Sequence, residues 1–391
     1  MLSHLRKGAL GAVSLACLVG GIGVAQAQPS ADDSAVAGLT ADGGAAFAMT
    51  NRSTGNEIVS YHRAADGMLT RVGTVPTRGR GIGTDLDTQG GLRLSSDHRY
   101  LYAVNAGSDN VSVFAVNGTH LEFLQKVYAG DEPNSLTLNG DLLYVLDGSV
   151  AGNGILGFRV TSDGRLSPLA HSFRLLSSPI AVPGTVQFSP DGGLLLVTEK
   201  TTNRELSPQN AIDVFKVQSD GLASAVPKRI ASHGVRPFSL AFRNDKQFVV
   251  AESFNAAPQR SAVSSYRIYS DGSRDLLSPS IRNHQTDTCW IVVTKDDRYA
   301  YTANFGSGTI SSYGFESTGR IHLIEGNAAF LGIKSQPVDL DLAAGSYLYL
   351  LLRGTGAVAA FDIRSDGSLR SLGVVKGALP VADGASGLAV Y

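Results

Sequence analysis

Cysteine is almost absent: Cys17 and Cys289 are the only two in 391 residues. Cys17 falls in an N-terminal segment read below as a signal peptide. The mature chain therefore keeps one thiol and no internal disulfide. Stability has to come from a packed core, and there is ample chain to build one. An excess of charge of either sign is also lacking, since 33 Lys and Arg face 34 Asp and Glu, dispersed along the chain. That balance argues for no nucleic-acid partner and no anionic membrane surface. Past residue 27 no apolar run reaches the length of a bilayer span, so the mature chain is expected to have no membrane span. Helical amphipathic periodicity of useful length is missing as well, which argues against a helical fold. There is no P-loop, no Gly-x-Ser-x-Gly elbow, and no His pair or carboxylate cluster at metal-ligand spacing. No metal and no cofactor are therefore expected. Cys289-Trp290 reads as a buried thiol beside a packing aromatic, because no base is paired with it.

The N-terminus is what a secretory signal requires. His4, Arg6 and Lys7 precede an apolar run from Gly8 to Val24, which ends in Ala25-Gln26-Ala27. Residues 1–27 are read as a signal peptide and 28–45 as a linker, with one domain over 46–391. The expected destination is periplasmic or secreted.

Glycine is abundant, with 45 residues, and tyrosine and phenylalanine supply 13 and 15. Their placement is periodic. One strand motif returns seven times, as EIVSYHR (57–63), NVSVFAV (110–116), GILGFRV (154–160), AIDVFKV (211–217), AVSSYRI (262–268), TISSYGF (309–315) and AVAAFDI (357–363). Period-two alternation of β-branched and aromatic residues is a strand signal. Most copies run into a turn such as Asp66-Gly67, Asp163-Gly164 or Asp366-Gly367. Asp-Gly between such runs marks a hairpin, because glycine accepts positive φ. An innermost strand precedes six of the units between residues 91 and 345, and the seventh, SGLAVY, stands at the C-terminus (386–391). The first unit lacks its own, so the chain's end must supply it; otherwise a ring would leave two unpaired edges. The expected fold is all-β, a seven-bladed β-propeller closed by the C-terminal strand pairing into blade 1.

In such a ring the end of each second strand lies on the same rim. Those positions hold Asn51, Asn105, Asp147, Glu199, Glu252, Asn304 and Arg353, all polar after apolar neighbours. Asn and Asp are ordinary strand-ending residues, whereas Glu199, Glu252 and Arg353 are poorer turn formers and carry more functional weight. Loops entering the innermost strands add Arg78, Arg80, Asp85, Asp87 and Gln89, then Asp131-Glu132, His233 with Arg236, His284 with Asp287, and Gln336. The catalytic candidates are Glu199, Glu252, Arg236 and Arg353. The substrate-binding candidates are Asn51, Asn105, Asp147, Asn304, Arg80 and Gln89.

The segments FSPDGGLLLVTE, DRYAYTANFGSGTISSY and FDIRSDGSLRSLG resemble the lactonase-type seven-bladed propellers, which include 6-phosphogluconolactonase and carboxymuconate-cyclising enzymes. The likeness runs from about Ala46 to Tyr391. It implies His, Arg and Glu side chains around the channel mouth as catalytic groups. Glu199 best matches an Asn-Glu pair of the enzymatic members; Arg353 and Arg236 match more loosely. The sequence departs where the family's Pro-His reads Pro133-Asn134 and its Asn-Arg reads Asn304-Phe305. Two functions are therefore expected in competition. One is hydrolysis or formation of a small lactone, with Glu199 or Glu252 as base, the pair raising each other's pKa if close, and an arginine on the oxyanion. The other is a non-catalytic exported propeller binding a carbohydrate, peptide or envelope component. A monomer with a small-molecule or carbohydrate ligand is expected in either case.

Overall fold

The computed structural model describes residues 43–200, 210–343, 346–381 and 384–391. The segment read as a signal peptide, and nearly all of the segment read as a linker, lie outside the described residues. Among the described residues there is no α-helix, only strands and three short 3-10 turns. The strands form seven antiparallel sheets, each built from consecutive strands except the first. That first sheet begins at Gly44, slightly before the boundary drawn from the sequence, and takes its innermost strand, Leu388–Val390, from the other end of the chain. The register is Ala46↔Val390, Phe47↔Ala389 and Ala48↔Leu388. Tyr391 N–H donates to the Ala45 carbonyl (3.0 Å), and Arg63 Nε donates to the Tyr391 carbonyl (2.6 Å). The ring is a seven-bladed propeller sealed by its last residues.

The other innermost strands are Leu92–Leu94, Pro133–Asn139, Pro183–Phe188, Pro237–Asn244, Thr288–Val293 and Pro337–Ala343, for blades 2 to 7. Four of these six begin with proline. Proline has no N–H to leave unpaired where a ladder starts, and it fixes φ for an extended entry. The outer edge of blade 3 is broken into Leu166–Pro168 and Arg174–Leu175, both paired to Gly154–Val160.

Between blades the core is apolar, and its polar atoms are fastened in a repeated way. A tyrosine in the second strand donates its hydroxyl to the turn glycine of the following blade. Tyr102 reaches the Gly164 carbonyl (2.9 Å), Tyr144 reaches Gly221 (2.8 Å), Tyr301 reaches Gly367 (2.9 Å) and Tyr349 reaches Gly67 (2.7 Å). The last of these joins blade 7 to blade 1. Each ring is buried and each hydroxyl is satisfied, as a buried tyrosine requires. The Asp-Gly turn thus closes its own hairpin and also anchors a neighbour.

Candidate active site at the channel mouth

Six of the seven strand-end side chains do not face the mouth. Asn51, Asn105, Asp147, Glu199, Glu252 and Asn304 are all buried, and each is enclosed within a polar socket. Asn105 Oδ1 accepts from Thr77 Oγ1 (2.6 Å) and Asn56 Nδ2 (3.1 Å), while its Nδ2 donates to Asn110 Oδ1 and Ser112 Oγ (both 2.9 Å). Asn304 repeats that pattern with Asn283, Thr309 and Ser311. Asn51 Nδ2 donates to the carbonyls of Thr84 (2.6 Å) and Gly384 (3.0 Å). Asp147 accepts from Asp131 N–H and from Ser149. Glu252 accepts from Gly234 N–H (2.9 Å), Ser280 Oγ (2.7 Å) and Ser264 Oγ (2.5 Å). A Cβ at Gly234 would run into that carboxylate, so the socket demands glycine there.

Glu199 differs from Glu252 because another buried acid, Asp213, stands against it. Its Oε1 accepts from Ser177 Oγ (3.1 Å) and Ser178 N–H (3.2 Å), and the Arg229 guanidinium lies 3.9 Å from Oε2. Burial first, and then the charge of Asp213, push its pKa up; burial pushes Asp213 up too. Glu199 and Glu252 occupy separate sockets in separate blades, so the expected pairing of these two glutamates does not occur.

The loop leading into blade 2 closes the channel. Gln89 N–H donates to the Gly184 carbonyl of blade 4 (3.0 Å), and the Gln89 carbonyl accepts from Ser135 Oγ of blade 3 (2.6 Å). The Gln89 amide exchanges two bonds with the backbone of Ile291 in blade 6 (2.9 and 3.0 Å). Trp290 Nε1 donates to the Thr88 carbonyl (3.0 Å), and Gly90 N–H donates to Asp339 of blade 7 (3.4 Å). Residues 88–90 thus plug the axis, bonded to four blades.

A compact ionic cluster stands with this plug. Arg353 Nη1 is 2.7 Å from Asp85 Oδ2, and its other nitrogens reach Gln336 Oε1. Asp87 Oδ2 receives both Lys200 Nζ (2.7 Å) and Arg236 Nη2 (3.0 Å). The Lys200 ammonium lies 4.3 Å from the centre of the Phe238 ring, a cation–π contact. Burial lowers its pKa, with Asp87 opposing. Asp287 also belongs here: its pKa is raised by burial, the Cys289 thiol donates to its Oδ1 (3.3 Å), and Arg236 favours its charge. No ion pair within 4.0 Å ties Asp287 among the described residues. Arg236 Nε is buried with no hydrogen-bond partner among the described residues. Burial pushes the Cys289 thiol well up, so it is neutral and no thiolate nucleophile.

The backbone marks the same place. Glu132, Arg236, Asp287 and Gln336 each stand immediately before an innermost strand with positive φ, at 63°, 55°, 59° and 47°. Left-handed backbone costs about 1–2 kcal/mol at a non-glycine residue. Three of these four belong to the ionic cluster, and strain retained at a cluster of charged groups points to use.

The family described as Lactonase, 7-bladed beta-propeller matches residues 40–182 and 209–326, well over half of the chain. The chain belongs to this lactonase family. None of the curated proteins matches it. Solved structures share the fold at low identity. A protein from Lactobacillus plantarum is 17% identical, with TM-score 0.68 over 89% of this chain and 98% of that one. The Pseudomonas aeruginosa periplasmic gluconolactonase PpgL is 17% identical, with TM-score 0.63 over 88% and 98%. The virginiamycin B lyase of Staphylococcus aureus is 16% identical, with TM-score 0.51 over 76% and 87%.

Within this lactonase propeller, Arg236 and Arg353 are the sequence candidates that join the ionic cluster at the mouth. Arg353 opens a 3-10 turn just after its strand ends at Leu352, and Arg236 meets Asp87. Arg80 is exposed and spends its guanidinium on the Gly107 carbonyl (3.2 Å), away from the cluster. Gln89 forms the plug itself. Phe305, at the family's Asn-Arg place, lies with its ring centre 4.8 Å from the Arg353 guanidinium. Arg353 thus supplies a cation beside the position where the family's arginine is missing. Lys200 escaped the sequence reading. Its one signal was a lysine directly following a buried strand end, at the head of a long insertion.

Proposed function

We propose that the protein is an exported lactone-handling enzyme that opens or closes a small cyclic ester at this mouth. The observation carrying the reading is Asp287, a carboxylate without an ion pair among the described residues, set beside Arg236, whose Nε has no hydrogen-bond partner among them. A carboxylate whose pKa is raised by burial serves as general base near neutral pH. In the hydrolytic direction a water would lose its proton to Asp287 and add its oxygen to the lactone carbonyl carbon. Arg236 and Arg353 would receive the developing oxyanion, which arginine bonds bidentately. Collapse breaks the ring C–O bond, and the proton held on Asp287 passes to the departing ring oxygen. The product is an open hydroxy acid. Lys200 holds Asp87, and through it Arg236, and so acts as a positioning residue.

Membership of the lactonase family and the fold shared with a periplasmic gluconolactonase support this reading, and the N-terminal signal supports export. The test is pH-stat turnover of D-glucono-δ-lactone and dihydrocoumarin by the purified protein, corrected for spontaneous opening. Asp287→Asn should cut kcat by about 100-fold or more, the usual scale of a lost general base. Arg236→Met should also lower kcat, because it removes a donor to the oxyanion. In the unmodified enzyme kcat/KM should climb with pH on a limb lying above the ordinary aspartate range. Glu199→Gln should leave turnover nearly intact, because Glu199 is enclosed in its socket. Saturable binding of either lactone with no turnover would contradict the proposal and mark a non-catalytic binding propeller.

A further inference from the structure

The plug divides the channel, and the side away from the ionic mouth is hollow. A cavity of about 340 Å³ opens at the far ends of the innermost strands, with Gln89 and Ile291 among the residues lining it. Six blades line it, and three of them supply its charged residues. Going round the ring, Lys295 follows the innermost strand of blade 6, Asp341 lies on that of blade 7, and Arg93 lies on that of blade 2. The closing strand of blade 1 fills the gap between the last two, where Val390 N–H donates to Asp341 Oδ2 (2.8 Å). The apolar lining comes from Leu240 and Phe242 of blade 5 and from Val293, two residues before Lys295 on blade 6, with Gln187 of blade 4 beside them.

The charged sector is not locked to itself. Asp341 takes backbone donors on both oxygens, from Leu342 and Val390 (both 2.8 Å). Arg93 and Lys295 act on it electrostatically. Neither cation forms a hydrogen bond or an ion pair within 4.0 Å among the described residues. The backbone therefore carries the aspartate, and the donors of the guanidinium and the ammonium remain free toward the cavity. Ligand sites combine an apolar wall with a few convergent polar groups in about 300–1,000 Å³. This one stands at the small end of that range.

We propose that the lower cavity is a second binding site, for a small organic carboxylate with a compact apolar body. The carboxylate would sit between Arg93 and Lys295, and its body would lie against Phe242 and Val293. The plug keeps this site separate from the mouth, so a ligand here need be neither substrate nor product.

Calorimetric titration with benzoate, and with neutral benzamide as control, tests the proposal at pH 7. Benzoate should bind and benzamide should not. Lys295→Met and Arg93→Met should each weaken benzoate about tenfold, the scale of one charge-assisted hydrogen bond. Asp287→Asn and Arg353→Met, both at the mouth, should leave benzoate affinity unchanged. Lys295 is exposed, so its variant carries the test even if Arg93→Met fails to fold. The proposal is overturned if benzoate does not bind, if benzamide binds as well, or if Lys295→Met leaves the affinity unchanged. Loss of binding in Arg353→Met would also overturn it, by placing benzoate at the mouth.

Discussion

At the residue scale, polarity and burial are separate properties, and only polarity is visible in a sequence. Asn105 and Asn304 read as rim residues and prove to be the hydrogen-bonded centres of buried sockets. A polar residue ending a strand looks the same whether it meets solvent or the next loop. Glu199 shows the energetic consequence. It and Asp213 bind protons more tightly folded than unfolded, because burial raises both pKa values and the Asp213 charge adds to the rise at Glu199. The stability they contribute is complete in acid and is lost as pH rises through the folded values. Glu199→Gln keeps an acceptor for Ser177 and Ser178 and replaces the repelling charge with an amide donor. In thermal melts between pH 5 and pH 9, the natural protein should lose more of its Tm than the variant. Parallel curves would show that the pair bears no such strain.

Strands and turns, at the element scale, were legible because their signals are local. Period-two alternation fixed the strand faces, and Asp-Gly dipeptides marked hairpins such as the one at Gly67. The second duty of that turn was not legible, since the Tyr349 hydroxyl reaches it across 282 residues of chain. Tyr349→Phe should cost about 1 kcal/mol in urea unfolding, the usual net worth of one such bond. An unchanged midpoint would mean that water replaces the tyrosine there. The plug is the larger omission. Residues 88–90 carry no motif of their own, and their partners lie in blades 3, 4, 6 and 7. Only a closed ring brings those blades to one axis, so no local pattern announces the plug.

For the whole molecule, closure was readable by counting. Seven third strands, and an innermost strand displaced to the C-terminus, leave one way to seal the ring, and Leu388–Val390 seals it beside Gly44–Met49. Closure also positions the chemistry. Asp85 and Asp87 come from the loop after blade 1, while Lys200, Arg236, Asp287 and Arg353 come from blades 4, 5, 6 and 7. Three cations and three carboxylates, drawn from around the circle, converge on the plug. The most direct measurement is a crystal structure of the protein with D-gluconate, the open product of the first test lactone. The account predicts its carboxylate on Arg236 and Arg353, with an oxygen within hydrogen-bond reach of Asp287. Gluconate seated anywhere else, or an empty mouth at saturating concentration, would contradict it.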